Sequence, residues 1–246
     1  MGGDGRDPFF WIVVIAVLGP VIGSVIGVLK RPSFDYICNM LCFAAGVMLT
    51  ISFVELIPES LAISTPLTAV LGVAMGSLAM YGLDRVIPHI HPRLCAQEQG
   101  CNLERTSVYL ILGMFLHNFP EGMAIAIGSV TDIRVSFTIA IAIAIHNIPE
   151  GICTSAPYYH STGKRIQAFL LSASTAAPIL AGYITARYVF QQLSPVAIAL
   201  LSSATAGLMI YITADELIPN ACVGSNHQTI FSLILGIAFV ILLSGI

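Results

Sequence analysis

Long apolar runs separated by short polar breaks are the dominant pattern of the chain. Eight such runs stand out, at 9–29, 36–57, 66–83, 107–130, 135–157, 166–188, 195–218 and 229–246. A helix of about 20 apolar residues crosses ~30 Å of hydrocarbon at ~1.5 Å per residue. Strands of a membrane barrel would instead alternate polar and apolar positions over about ten residues, and these blocks do not. The pattern predicts an all-α integral membrane protein of eight transmembrane helices forming a single domain over 1–246. The parts are a first group of three helices (1–83), a loop (84–106), a central pair (107–157) and a second group of three (166–246).

Two of the runs carry the same polar motif at mid-length. The fourth reads His117-Asn118-Phe119-Pro120-Glu121-Gly122, and the fifth reads His146-Asn147-Ile148-Pro149-Glu150-Gly151. Ionisable side chains at that depth are costly unless they pair or serve a function. Residues i and i+4 share a helix face, so His117 aligns with Glu121 and His146 with Glu150. Packing the two helices together converges two imidazoles and two carboxylates. Such a donor set suits zinc, and also iron, manganese or cobalt. Asn118 and Asn147 sit about 100° further around the helix, placed to add amide oxygens or hydrogen bonds to the ligands. Pro120 and Pro149 withhold an N–H from the carbonyls of Leu116 and Ile145, so a kink is expected in each helix. Gly122 and Gly151 permit close helix approach.

Composition strengthens the membrane reading. Charged residues make up 9% of the chain, against about 25% in soluble domains, and mean hydropathy is +0.89. No basic patch points to nucleic acid. The polar start, Gly3-Asp4-Gly5-Arg6-Asp7, lacks the positive leader of a signal peptide. Cys38, Cys42, Cys153 and Cys222 fall within or at the ends of predicted helices, so the cysteines do not read as a disulfide framework. Lys30, Arg31, Arg85, Arg93, Arg105, Lys164 and Arg165 fall on one side of the membrane, and only Arg6, Arg134 and Arg187 on the other. The richer side is expected to be cytoplasmic, with both termini on the non-cytoplasmic side.

A second repeat then becomes visible. Ala45-Gly46-Val47-Met48 and Glu55-Leu56-Ile57-Pro58 in the second run match Ala206-Gly207-Leu208-Met209 and Glu216-Leu217-Ile218-Pro219 in the seventh, at a constant offset of 161. The two runs cross in opposite directions. An inverted 3+2+3 repeat is expected, an arrangement common in secondary transporters. Glu55 and Glu59 then lie near the outer mouth and Asp215 and Glu216 near the inner one, suited to recruiting and releasing an ion. His89, His91, Cys95 and Cys101 in the 84–106 loop are candidate ligands on the cytoplasmic side, although their spacing matches no structural zinc site. His160 and His227 read as solvated loop residues.

The leading function is transport of a divalent metal ion, with the metal as cargo and no prosthetic group. No nucleotide-binding motif supplies an ATP engine. An intramembrane zinc-dependent hydrolase is the alternative, since histidine and glutamate at helical spacing can activate water. However, His-Asn-x-Pro-Glu is not His-Glu-x-x-His, and no separate nucleophile–base pair is evident, so no enzyme is expected. A metal-sensing membrane receptor is a third reading.

The twin motifs resemble helices 4 and 5 of the ZIP (zinc–iron permease) family. The continuation through Pro157-Tyr158-Tyr159, with Thr162-Gly163 beyond, is similar to the family's broad-specificity zinc-uptake branch. The resemblance covers nearly the whole chain. It implies uptake of divalent metal, zinc foremost and iron, manganese, cobalt or cadmium besides, across the plasma or cell membrane into the cytoplasm. It also implies a homodimer embedded in the lipid bilayer. By motif match, His117, Glu121, His146 and Glu150 form the primary site and Met48 adds a thioether. Asn118 and Asn147, with the two glutamates, serve a neighbouring second site. One departure matters. The family often has a glutamate immediately before a proline in helix 6, whereas this chain reads Thr175-Ala176-Ala177-Pro178. With Ala177 in that place, one strong site and at most a weaker companion are expected.

Overall fold

The computed structural model describes residues 8–86, 103–131, 133–189, 194–222 and 227–244. All secondary structure among them is helical, and eight rods follow the eight predicted runs. They are α1 (Pro8–Leu29), α2 (Phe34–Ile63), α3 (Pro66–Val86), α4 (Leu103–Thr131), α5 (Ile133–Thr162), α6 (Arg165–Tyr188), α7 (Pro195–Ala221) and α8 (His227–Ser244). Among the described residues, α1, α2, α5, α6 and α7 are long and apolar enough to cross a bilayer. The other three offer shorter apolar stretches, Pro66–Gly82, Leu110–Ala126 and His227–Leu243.

The surface is strongly apolar, and a set of polar side chains is buried inside an otherwise apolar interior. Leu67, Val70 and Leu78 on α3 and Phe231, Leu235 and Leu242 on α8 are exposed, while Ser24, His117, Asn147 and Thr154 are fully buried. Apolar surface on this scale is unfavourable in water and suits lipid, and helices satisfy their own backbone groups there. The chain is a multi-pass integral membrane protein.

Prolines moved two boundaries. The predicted second and seventh runs stop at Ile57 and Ile218, just before Pro58 and Pro219. Both helices continue past them. A π turn at Ile51–Leu56 shifts the Ile57 N–H onto the Ser52 carbonyl, and one at Thr213–Leu217 shifts the Ile218 N–H onto Thr213. Widening the ladder to i→i+5 makes room for the proline ring without ending the rod. Pro157 likewise lies inside α5, which runs on to Thr162. The ends of the predicted 84–106 loop are helical, 84–86 in α3 and 103–106 in α4, and the remainder, with His89, His91, Cys95 and Cys101, lies outside the described residues.

The central pair α4–α5 is clasped on both sides. Helix α1 packs along α5 and α6 along α4, while α2 packs on α8 and α7 on α3. Gly122 and Gly151 set these approaches. A Cβ at Gly122 would collide with the Ile179 carbonyl of α6, and one at Gly151 would lie 2.5 Å from the Pro20 carbonyl of α1. The twin motif is bracketed by two apolar clusters. Met114 and Ile152 belong to one, with Met48, Met209 and Ile212. Met123 and Ile143 belong to the other, with Val13, Ile125 and Ile179. The polar centre therefore sits between two apolar clusters.

Candidate metal centre

Helices α4 and α5 are consecutive and antiparallel. Each carries its histidine one turn before its glutamate, so antiparallel packing sets the histidine of one helix level with the glutamate of the other. His117 Nε2 lies 3.0 Å from Glu150 Oε2, and His146 Nε2 lies 3.0 Å from Glu121 Oε1. The closest same-helix approach recorded, His117 Nε2 to Glu121 Oε1, is 3.9 Å. The expected i, i+4 alignment on one face holds, but the bonding is crosswise between helices. All four side chains are buried, with His117 at 0% exposure and Glu121, the most open, at 8%.

The asparagines complete the group. Asn147 Nδ2 donates to Glu121 Oε2 at 3.0 Å, and Asn118 Nδ2 donates to the Thr175 carbonyl of α6 at 2.6 Å. Carboxylate and carbonyl oxygens only accept, so each amide must present its NH2 to that partner and turn its oxygen the other way. Among the described residues, Asn118 Oδ1, Asn147 Oδ1 and Glu150 Oε1 are buried with no donor. Orphaned acceptors in a dry interior are rare and costly. Glu150 Oε1, and Asn147 Oδ1 on the amide bonded to Glu121, are acceptors that a cation would satisfy. No three His, Cys, Asp or Glu side chains among the described residues form a ready-made coordination sphere. The imidazoles and carboxylates are instead occupied with one another.

A cavity of about 380 Å³ meets the group from one side. Its walls include Glu55, Glu59 and Ser202, and also Glu121 and His146. Glu59 is exposed and accepts from Ser202 Oγ at 2.8 Å, whereas Glu55 is half-buried. The cavity thus links an exposed carboxylate to the buried centre. Asp215 and Glu216 are not among its lining residues. Both lie on the π turn of α7, and Glu216 is buried with its Oε2 accepting from Asn220 Nδ2 at 3.0 Å. Met48 is fully buried, with Thr213 Oγ1 3.9 Å from its Sδ.

Two partners were not legible in the sequence. The Thr175 carbonyl that orients Asn118 is a backbone group 57 residues away, and no residue type announces it. His160 is not simply solvated. Its Nδ1 lies 2.7 Å from the Pro32 carbonyl, and Arg31 donates to the His160 carbonyl at 2.9 Å, which ties the α1–α2 turn to the end of α5.

The same motifs lie within a matched region of known proteins. A family model described as ZIP Zinc transporter matches residues 94–244. The chain belongs to the ZIP zinc transporter family. It is 37% identical over 219 residues to the zinc transporter ZupT of Escherichia coli O127:H6 (strain E2348/69 / EPEC), covering 85% of each chain. It is 36% identical, at the same coverage, to the zinc transporter ZupT of Escherichia coli O1:K1 / APEC and of Escherichia coli (strain K12 / DH10B). ZIP membership sets the chain among transporters, not enzymes, and the hydrolase alternative falls away.

Proposed function

We propose that this ZIP protein carries divalent transition-metal ions across the cell membrane into the cytoplasm, with zinc as the preferred cargo. Iron, manganese, cobalt and cadmium are further cargoes that the donor set accommodates. The observation that carries the reading is the pair of crossed, buried His–Glu contacts at 3.0 Å, with Glu150 Oε1 and Asn147 Oδ1 left without donors. His117, Glu121, His146 and Glu150 are the principal ligands. In the metal-free protein each imidazole N–H satisfies a carboxylate. An arriving dication takes the nitrogen and oxygen lone pairs in their place; each ring, an imidazolium while paired with its carboxylate, releases its Nε2 proton and keeps the one on Nδ1. Met48 supplies a thioether from α2 once that helix shifts toward the centre.

The ion enters through the cavity, drawn by Glu59 and then Glu55. Asp215 and Glu216 receive it on the inner side, with His89, His91, Cys95 and Cys101 of the cytoplasmic loop as candidate ligands thereafter. Ala177 stands at the break in α6 with no carboxylate to offer. Asn118, Asn147 and the second oxygens of the two glutamates therefore make only a weak companion to one principal ion. Both termini lie on the non-cytoplasmic side, and the chain acts as a homodimer.

An inverted 3+2+3 repeat underlies alternating access in this reading. Matched contacts support it. A Cβ at Gly46 of α2 would collide with the Leu233 carbonyl of α8, and one at Gly207 of α7 would collide with Val73 of α3. In the central layer, Gly23 of α1 abuts the Ile148 carbonyl and Gly182 of α6 abuts Phe119, the same position of each hexapeptide. The two π turns also end at matched places, Leu56 and Leu217. Sequences with a chance resemblance would have no reason to share backbone contacts and ladder defects.

The test is radiozinc uptake into proteoliposomes. His117→Ala, Glu121→Ala, His146→Ala and Glu150→Ala should each reduce uptake strongly while the protein still inserts and folds. Uptake at the wild-type rate by all four would remove the site assignment.

A further inference from the structure

A buried hydroxyl cluster adjoins the metal centre without belonging to its ligand set. Ser24 of α1, Thr154 of α5 and Ser172 of α6 are all fully buried. Ser172 Oγ lies 2.6 Å from Ser24 Oγ and 2.5 Å from Thr154 Oγ1, and donates to the Gly151 carbonyl at 3.0 Å. Gly151 closes the second hexapeptide, and Thr154 Oγ1 also reaches the Glu150 carbonyl at 3.0 Å. On its other side, the Ser172 carbonyl accepts from Thr175 Oγ1 at 2.7 Å, and the Thr175 carbonyl holds Asn118 Nδ2. A continuous chain of hydrogen bonds thus runs from α1 through Ser172 to the backbone beneath Glu150, and on to the Asn118 amide.

Proton counting makes Ser172 the junction. Each hydroxyl has one proton and two lone pairs. Ser24 commits its proton to the Pro20 carbonyl and Thr154 to the Glu150 carbonyl, so both present lone pairs to Ser172, whose single proton is shared among Ser24, Thr154 and the Gly151 carbonyl. Its neighbours do not depend on it, because Ser24 Oγ also lies 2.6 Å from the Pro20 carbonyl of its own helix and Thr154 has Glu150. Removing the Ser172 hydroxyl therefore cuts the ties between helices without stranding a buried donor.

The tie falls where α6 needs one. Pro178 withholds its N–H from the Ser174 carbonyl, and Ser174–Ala176 tightens into a 3-10 turn. The ladder alone does not fix such a break, yet the break carries the carbonyl that aims Asn118. We propose that Ser172 is a positioning residue of the metal centre. Its hydroxyl holds the Gly151 backbone, next to the ligand Glu150, against α6 and so sets discrimination between smaller and larger divalent ions. The inference rests on the transport reading above. Zinc–oxygen distances are about 2.0–2.2 Å, whereas larger cations need about 2.3–2.6 Å. A few tenths of an ångström of slack between two ligands is enough to favour the larger ion.

The experiment compares zinc and cadmium uptake by the full chain in proteoliposomes for wild type, Ser172→Ala, Thr154→Val and Thr154→Ser. Ser172→Ala and Thr154→Val should shift the ratio of apparent KM values toward cadmium by about tenfold, the lower end of the effect of removing an outer partner of a metal ligand. Thr154→Ser keeps the hydroxyl and should keep the wild-type ratio. An unchanged ratio in Ser172→Ala, or equal weakening for both metals, overturns the proposal, since a merely structural role moves both together. Should Ser172→Ala fail to insert, the Thr154→Val and Thr154→Ser pair decides by the same ratio. Wild-type protein that moves neither metal defeats the transport reading itself, while an unchanged ratio in active variants defeats only this inference.

Discussion

Replacing Glu150 with glutamine keeps the side-chain volume and removes one of the two carboxylates of the centre. Its Oε2 accepts from His117 Nε2 at 3.0 Å, and its Oε1 has no donor. In metal-free protein, a charge-assisted bond of about 1.5–3 kcal/mol becomes a neutral one of about 0.5–1.5 kcal/mol. Against that loss stands relief from burying a half-satisfied charged group, which costs about 1–3 kcal/mol or more. The two nearly cancel, so the metal-free Tm should stay within a few degrees of wild type. Zinc separates the proteins. At about 100 times its Kd, a ligand adds about 2.7 kcal/mol to stability. At about 2–4 °C per kcal/mol for a chain of this size, the wild type should gain about 5–11 °C. If losing the charged ligand weakens binding about 100-fold, the same zinc concentration sits near the variant's Kd. There it adds about 0.4 kcal/mol, or about 1–2 °C. The assay is thermal unfolding of purified protein with and without zinc. A variant that keeps the full zinc-induced rise would refute a ligand role for Glu150. A metal-free Tm that collapses would show the carboxylate to be structural instead.

Further expectations concern the rest of the pathway. Metal binding releases protons, so acidification should raise the apparent KM for zinc, and a flat pH response over the imidazole range would count against histidine ligation. Glu59→Gln should raise KM about two- to tenfold with little change in kcat, most clearly at low ionic strength, and loss of kcat instead would place Glu59 beyond recruitment. Gly122→Val would drive a side chain into the Ile179 carbonyl and push α4 from α6, costing about 1–3 kcal/mol. Thermal unfolding checks this, and a wild-type Tm would contradict it. If the carboxylate missing at the α6 break is what limits the second site, Ala177→Glu should raise the number of zinc ions bound per chain. Equilibrium dialysis reads that number, and unchanged stoichiometry would mean that this carboxylate is not what the second ion lacks.

The eight rods were legible because apolar runs of membrane length leave little choice of secondary structure. The twin hexapeptide was legible because two identical polar words at mid-run are expensive to keep. What lay beyond the sequence was mostly geometry between elements. The i, i+4 spacing of His117 and Glu121 gives a shared face, but only the antiparallel level of α5 tells that each histidine bonds the opposite glutamate. Pro58 and Pro219 read as helix ends because a proline breaks an α ladder, and nothing in the local sequence announces the π turns that accommodate them. Backbone partners escaped for a similar reason. The carbonyls of Thr175 and Pro32 meet Asn118 and His160 wherever the chain brings them, whatever side chain they carry.

The centre itself is tested most directly by anomalous scattering at the zinc edge from crystals of zinc-loaded protein. The strongest peak should lie among His117 Nε2, His146 Nε2 and the carboxylates of Glu121 and Glu150, at about 2.0–2.2 Å from each bound atom. The His117–Glu150 and His146–Glu121 pairs should open to admit it. A dominant peak elsewhere, with those pairs still closed in zinc-loaded protein, would contradict this assignment.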